Sequence, residues 1–307
     1  MKYIFGPVPS RRLGFSLGVD LVPFKTCSLD CTYCQLGKTS HKTIERRAYT
    51  PLEETIEELK TVLNHQQTID HITIAGSGEP TLSTQLGAII KSIKEVTAIP
   101  IAVLTNGTLL HRGDVRSELL PADVVIPSLD TVNQEIFTKV NRPHPELNVS
   151  QMIGGLDSFR NVFPGKLWLE IMLVRGINDS PEELEKIKDV LSSIKLDMIQ
   201  INTPVRPGTD KTCKPLTSKG LAFCKEVLGE PCEVITSFDG RQHALETNLK
   251  EKICSMISRR PLNLSEIADS LGMNREKAAE MLALLEEQDK IELHKHGVEY
   301  YYQAKRS

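Results

Sequence analysis

The sequence predicts an α/β protein: a partial, TIM-like (β/α)6 barrel over residues 1–240, followed by a small winged-helix-like domain over residues 241–307. Three observations predict it. From Pro51 onward, short apolar runs alternate with stretches of helical periodicity, the pattern of βαβ units around a parallel sheet. Polar or glycine-bearing turns recur directly after those apolar runs, where barrels of this kind carry their functional groups. Near residue 240 the alternation stops, and helix, helix–turn–helix and hairpin patterns follow within about 60 residues.

The elements follow in order. Gly6-Pro7-Val8-Pro9-Ser10 reads as a loop from its Pro and Gly content, and Leu17 to Val22 as the first strand. Arg11 and Arg12 sit in this segment. They read either as two solvated surface charges or as a phosphate or carboxylate clamp at the barrel mouth. Thr50 as N-cap, Pro51 at the first helical position, and Glu53 and Glu54 in the first turn start a helix that runs to about Asn64. Strands are expected at His71–Ala75, Ile101–Leu104, Asp123–Pro127, Leu167–Val174, Met198–Ile201 and Cys232–Ile235. Helices are expected at Leu82–Val96, Asp114–Leu120, Gln134–Lys139, Val149–Arg160, Pro181–Ser193 and Thr217–Leu228.

The chain has 307 residues and a formal net charge of −3, with no global basic excess pointing to nucleic acid. Its seven cysteines form no secreted disulfide framework. The start, Met1-Lys2-Tyr3-Ile4-Phe5-Gly6-Pro7, has no long apolar region of a signal peptide, and no apolar run approaches the roughly 18–20 residues of a membrane span. A cytoplasmic protein in a reducing setting is expected.

Three of the cysteines define the most specific motif. Cys27, Cys31 and Cys34 stand at i, i+4 and i+7 in Lys25-Thr26-Cys27-Ser28-Leu29-Asp30-Cys31-Thr32-Tyr33-Cys34. Three thiolates can bind three irons of a [4Fe–4S] cube and leave the fourth open, which marks a catalytic centre. A zinc knuckle needs a fourth close ligand, and His41 is the only near candidate. Three unrelated core thiols are at odds with the polar Lys25, Asp30 and Thr32.

Candidate ligand groups follow the strands. They are Gly76-Ser77-Gly78-Glu79-Pro80, Thr105-Asn106-Gly107, Ser128-Leu129-Asp130, Arg175-Gly176-Ile177-Asn178-Asp179 and Asn202-Thr203-Pro204-Val205-Arg206-Pro207. Small residues admit close approach of a ligand, and Glu79 can accept from an ammonium. Glu170 interrupts an apolar strand, and a buried carboxylate needs a partner, which a ligand inside the barrel would supply.

The three-cysteine loop, with Tyr33 just before its last cysteine, resembles the cluster loop of the radical S-adenosylmethionine (SAM) superfamily. Gly78-Glu79-Pro80 resembles that family's motif for the amino group of SAM. The resemblance covers about residues 15–240. It implies an enzyme that transfers one electron from a reduced [4Fe–4S] cluster to SAM and forms a 5′-deoxyadenosyl radical that abstracts hydrogen from a substrate. It also implies cluster ligation by Cys27, Cys31 and Cys34, and SAM contacts from Tyr33, Gly78, Glu79, Asn106, Ser128, Asp130 and Glu170. An electron donor of the flavodoxin or ferredoxin type is the implied partner. Residues 105–179 look like the activating enzymes of glycyl-radical enzymes, from which the chain departs at Leu104 and Glu170. The start through Leu13-Gly14 resembles Fe–S oxidoreductases related to tRNA 4-demethylwyosine synthase, but no cysteine precedes Cys27 for a second cluster.

Two smaller groups remain. Asn141-Arg142-Pro143-His144 reads as a helix stop or a substrate contact. Cys213, Cys224 and Cys232 fit no cluster spacing, and Cys224 has a core-like helical position. In the tail, residues 249–307 hold ten Lys or Arg and ten Asp or Glu. A neutral tail argues against DNA reading and favours docking of a protein, peptide or structured RNA. The substrate is then a macromolecule, RNA or protein, or a small metabolite. The competing reading is an Fe–S or zinc-dependent regulator that binds nucleic acid.

Overall fold

The computed structural model describes residues 1–64, 68–206, 208–210, 212–235, 249–297 and 299–305. The chain opens with strands β1 (Ile4–Ser10) and β2 (Gly14–Val19), then a short strand pair, β3 (Thr26–Cys27) and β4 (His41–Lys42), that pins the cysteine loop. Helix α1 (Leu52–Leu63) and strand β5 (His71–Ile74) follow, then α2 (Leu86–Val96), β6 (Ile101–Thr105), α3 (Gly113–Leu119) and β7 (Val124–Pro127). Next come α4 (Gln134–Asn141), α5 (Val149–Arg160), β8 (Lys166–Met172), α6 (Pro181–Leu191), β9 (Met198–Asn202), α7 (Ser218–Leu228) and β10 (Cys232–Val234). The tail holds α8 (Leu249–Arg259), α9 (Leu264–Leu271), α10 (Arg275–Glu287) and the hairpin β11 (Ile291–His296) and β12 (Glu299–Ala304).

One sheet runs in the order β1-β2-β5-β6-β7-β8-β9-β10. Every neighbour from β2 to β10 is parallel, and β1 runs antiparallel to β2. Because β1 and β10 do not pair, the barrel is open on one side. The strand period of two divides the side chains. Leu167, Leu169 and Ile171 join the main core with Ile89, Ile90, Leu184 and Ile187 of the covering helices. Trp168 packs on the opposite face with Leu13, Ala102 and Ile126. Glu170 and Met172, in phase with Trp168, share that inner face.

Two expectations are corrected. Residues 6–10, expected as a loop, belong to the edge strand Ile4–Ser10, which has a register shift between Phe5 and Val8. An edge strand tolerates proline, whose missing N–H costs no ladder bond on the outer side. Thr50 does not cap α1: Pro51 is the N-cap residue, and the buried Thr50 hydroxyl has no partner.

The tail has the expected three helices and hairpin, and a winged-helix arrangement of them stands as a proposal. The boundary expected at residue 240, with the polar stretch 238–242, lies outside the described residues. A second core gathers Ile253, Met256, Ile257, Ile267, Leu282 and Leu285, but it also takes Phe5 and Val8 of β1. Arg260 donates to the carbonyl of Pro9, Arg206 pairs with Glu266, and His296 Nε2 lies 3.3 Å from the Pro204 carbonyl. The tail therefore reaches from β1 to the segment after β9, across the barrel's open side. Among the described residues, no helix is long and apolar enough to cross a membrane.

Candidate cluster and cofactor site

The cysteine loop lies over the C-terminal ends of the strands, held by its backbone. Lys25 N–H donates to the Ser77 carbonyl at 2.6 Å, Glu79 N–H to Thr26 at 3.0 Å, and Asp30 and Thr32 N–H to Asn141 and Val140. Gly78 allows this contact, since a Cβ there would sit 2.0 Å from the Thr26 carbonyl oxygen. Each thiol receives one side-chain N–H. Asn106 Nδ2 lies 3.5 Å from Cys27 Sγ, Asn141 Nδ2 3.4 Å from Cys31 Sγ, and Lys25 Nζ 3.1 Å from Cys34 Sγ. Burial, with Glu79 nearby, pushes the Cys27 thiol up to about 12. Burial, with Asp130 nearby, pushes Cys31 well above the usual thiol range. These sulfurs become thiolates only when a multiply charged cation compensates them.

The donor set fits a cube. Three thiolates on three different irons stand farther apart than three on one ion. Among the described residues, no three His, Cys, Asp or Glu side chains converge as ligands of a single ion. His41, the candidate for a zinc site, is exposed on β4. Of the other cysteines, Cys224 and Cys232 lie in the main core and Cys213 packs apart from them with Val140 and Val174.

The expected SAM contacts come together at the strand ends, but most are engaged by the protein. Glu79 is buried, and its Oε1 accepts from Thr81 N–H, Thr81 Oγ1 and Thr105 Oγ1. Among the described residues its Oε2 accepts only from Asn106 N–H, at 2.7 Å, which leaves one acceptor direction. Burial raises its pKa, against these four bonds. Asn106 is spent on the loop: Nδ2 also donates to Ser28 Oγ, and Oδ1 accepts from Thr108.

Asp130 is likewise enclosed. It accepts from Tyr33 Oη, from Asn141 Nδ2 at 2.6 Å and from Met172 N–H at 2.8 Å, and burial raises its pKa to about 6 despite these bonds. Tyr33 and Asp130, both expected as SAM contacts, are hydrogen-bonded to each other. Burial, with Asp130 second, raises the Tyr33 phenol well above its usual range. Ser128 N–H donates to the Thr105 carbonyl at 3.0 Å, but its hydroxyl has no hydrogen-bond partner among the described residues and is open to a ligand. Glu170 has its partner inside the protein: Arg12 lies at 2.8 Å and Asn202 Nδ2 at 3.1 Å. The arginine beside it lowers its pKa against burial. The partner that a buried carboxylate needs is thus present within the protein.

The sequence pointed to Asn141 only as a helix stop or substrate contact. The structure buries it between Cys31, Tyr33 and Asp130, at the end of α4, where Arg142 turns left-handed (φ 45°) and pairs with Asp210. Thr108 was not singled out, and Lys25, Ser28 and Thr105 stood within quoted motifs without these roles. Lys25, just ahead of the cysteine motif and buried, was the one available signal.

A partial barrel whose strand ends gather three thiols, an amide or ammonium donor for each, and an open hydroxyl defines a class: enzymes that hold a metal–sulfur cluster beside a small cofactor. The sequence profile described as Radical SAM superfamily matches residues 21–190. The chain belongs to the radical SAM superfamily; it is an enzyme, and a [4Fe–4S] cluster and SAM are its cofactors. It is 36% identical over 280 residues to the UPF0026 protein of Methanocaldococcus jannaschii, covering 89% of this chain and 87% of that one. It is 39% identical over 294 residues to a Brachyspira hyodysenteriae protein named GTPase Obg, covering 94% of this chain but only 43% of that relative's length. The fold is similar to that of Streptococcus suis SuiB bound to S-adenosylmethionine, with a TM-score of 0.54 at 16% identity, over 72% of this chain and 50% of that one. The regulator reading is set aside.

Proposed function

We propose that Cys27, Cys31 and Cys34 hold the cluster and that the barrel mouth positions SAM for reductive cleavage and hydrogen abstraction from a bound substrate. The observation that carries this is the N–H donor found on each of the three thiols. When bound, the cluster supplies the electron that splits SAM into methionine and a 5′-deoxyadenosyl radical. The chain's own residues do the rest. Asn106, Asn141 and Lys25 stabilise negative charge on the three sulfurs. Glu79 fixes Asn106 through its backbone and offers its remaining Oε2 direction to an ammonium. Ser128 offers a hydroxyl. The Tyr33–Asp130 pair walls the site and keeps water out.

A one-electron donor of the flavodoxin or ferredoxin type would reduce the cluster. A macromolecular substrate, RNA or protein, would meet the strand-end mouth, because the tail occupies the open side. The test is 5′-deoxyadenosine formation by anaerobically reconstituted, dithionite-reduced protein, with Cys31→Ala as control. Product that vanishes in the control is expected. A fully loaded protein that neither binds SAM nor forms product would overturn the reading.

A further inference from the structure

Four arginines meet where the β1–β2 turn, the segment after β9 and the tail come together. Arg12 pairs with Glu170, Arg206 pairs with Glu266, and Arg260 donates to the Pro9 carbonyl. Arg11, half-buried on the turn, has no hydrogen-bond or ion-pair partner among the described residues. The charges acting on it are Arg206 and Arg12 on one side and Glu170 and Glu266 on the other. Four guanidinium groups thus share two carboxylates that are already paired, leaving two positive charges in excess. Burial first, then the neighbouring arginines, brings Arg11 down to about 10 and Arg260 to about 9. The buried Nε of Arg260 also has no acceptor among the described residues. Clustered, desolvated like charge is costly unless an anion completes it.

The neighbouring sheet face is unsatisfied too. Ser128, Glu170 and Gln200 lie in one row across β7, β8 and β9. The Ser128 hydroxyl has no partner among the described residues, and the buried Gln200 Oε1 has none either. The row begins at Ser128, two residues before Asp130 and the cysteine-loop network.

We propose that the arginine cluster is the substrate's anion site: Arg11, backed by Arg206 and Arg260, receives a phosphate-type dianion, and the substrate's remaining polar groups meet Gln200 and Ser128. A dianion cancels the excess of two charges, whereas a carboxylate cancels one. Guanidinium forks also match phosphate oxygens bidentately. This deepens the reading of the barrel as the reaction chamber and rests on it.

The test titrates inorganic phosphate into the full-length reconstituted protein at constant ionic strength, read by calorimetry, with SAM cleavage measured separately. Saturable binding is expected, at least tenfold weaker in Arg11→Gln and partly restored in Arg11→Lys. Acetate is expected to bind at least tenfold more weakly than phosphate. Wild-type protein that cleaves SAM but does not bind phosphate overturns the anion site and leaves the proposed function standing. Binding unchanged in Arg11→Gln, or acetate equal to phosphate, also overturns it. Phosphate binding through Arg11 without any SAM cleavage supports the anion site and counts against the proposed function alone.

Discussion

Glu79 shows how one buried carboxylate can organise a site through its bonds to the protein. Its four protein bonds join the Pro80-Thr81 turn to the end of β6, and so place Asn106 against Cys27. Glu79→Gln keeps the shape but turns one acceptor into a donor facing donors. We expect a loss of about 1–3 kcal/mol in urea unfolding and reduced iron loading. Gly78→Ala should act on the loop alone: its Cβ has no room beside Thr26, so bound iron should fall while the unfolding midpoint of the apo protein moves little. Asn141→Ala removes the donor on Cys31. Donors to sulfur stabilise the reduced, more negative cluster, so the midpoint potential in an electron-resonance titration should move in the negative direction. An unchanged potential would count against Asn141 as a positioning residue. The three cysteines were legible because their spacing is local. Asn141 and Arg12 were not, because their partners lie far along the chain: Asn141 and Cys31 are 110 residues apart.

At the scale of elements, the alternation of strand and helix gave the order of nearly every unit from α1 to α7, since each strand buries a continuous apolar face. Only β1 escaped. Its glycine and prolines carry the local signature of a loop, and its identity as a strand depends on pairing with β2 and on apolar partners more than 240 residues later. The Phe5 ring lies over Gly18, where a Cβ would come within 2.0 Å, and its far side joins the second core. Phe5→Ala should cost about 3–5 kcal/mol in chemical unfolding. It should also make the tail the first segment cleaved in limited proteolysis. Equal protection of the tail in wild type and variant would show that β1 does not anchor it.

For the whole molecule, the tail is a wall of the barrel rather than an appendage. Arg206, only 4% exposed, and Glu266, 15% exposed, make an ion pair between the segment after β9 and α9. Arg206→Ala leaves a half-buried carboxylate unpaired, so a loss of about 3 kcal/mol is expected, with faster hydrogen exchange in both β1 and α9. Exchange confined to α9 would separate the tail's stability from that of the barrel. Arg260 and Pro9, which bond across the same seam, are 251 residues apart. Closing so large a loop has an entropic cost that only the finished chain can offset. During synthesis the N-terminal strand leaves the ribosome long before its second partner exists. The sheet from β2 to β10 can pair from neighbours already made, but the seam cannot form until the elements from Leu249 to Ala304 emerge. Closure of the chamber thus follows assembly of the sheet, and the cysteine loop is complete while one side of the barrel still stands open.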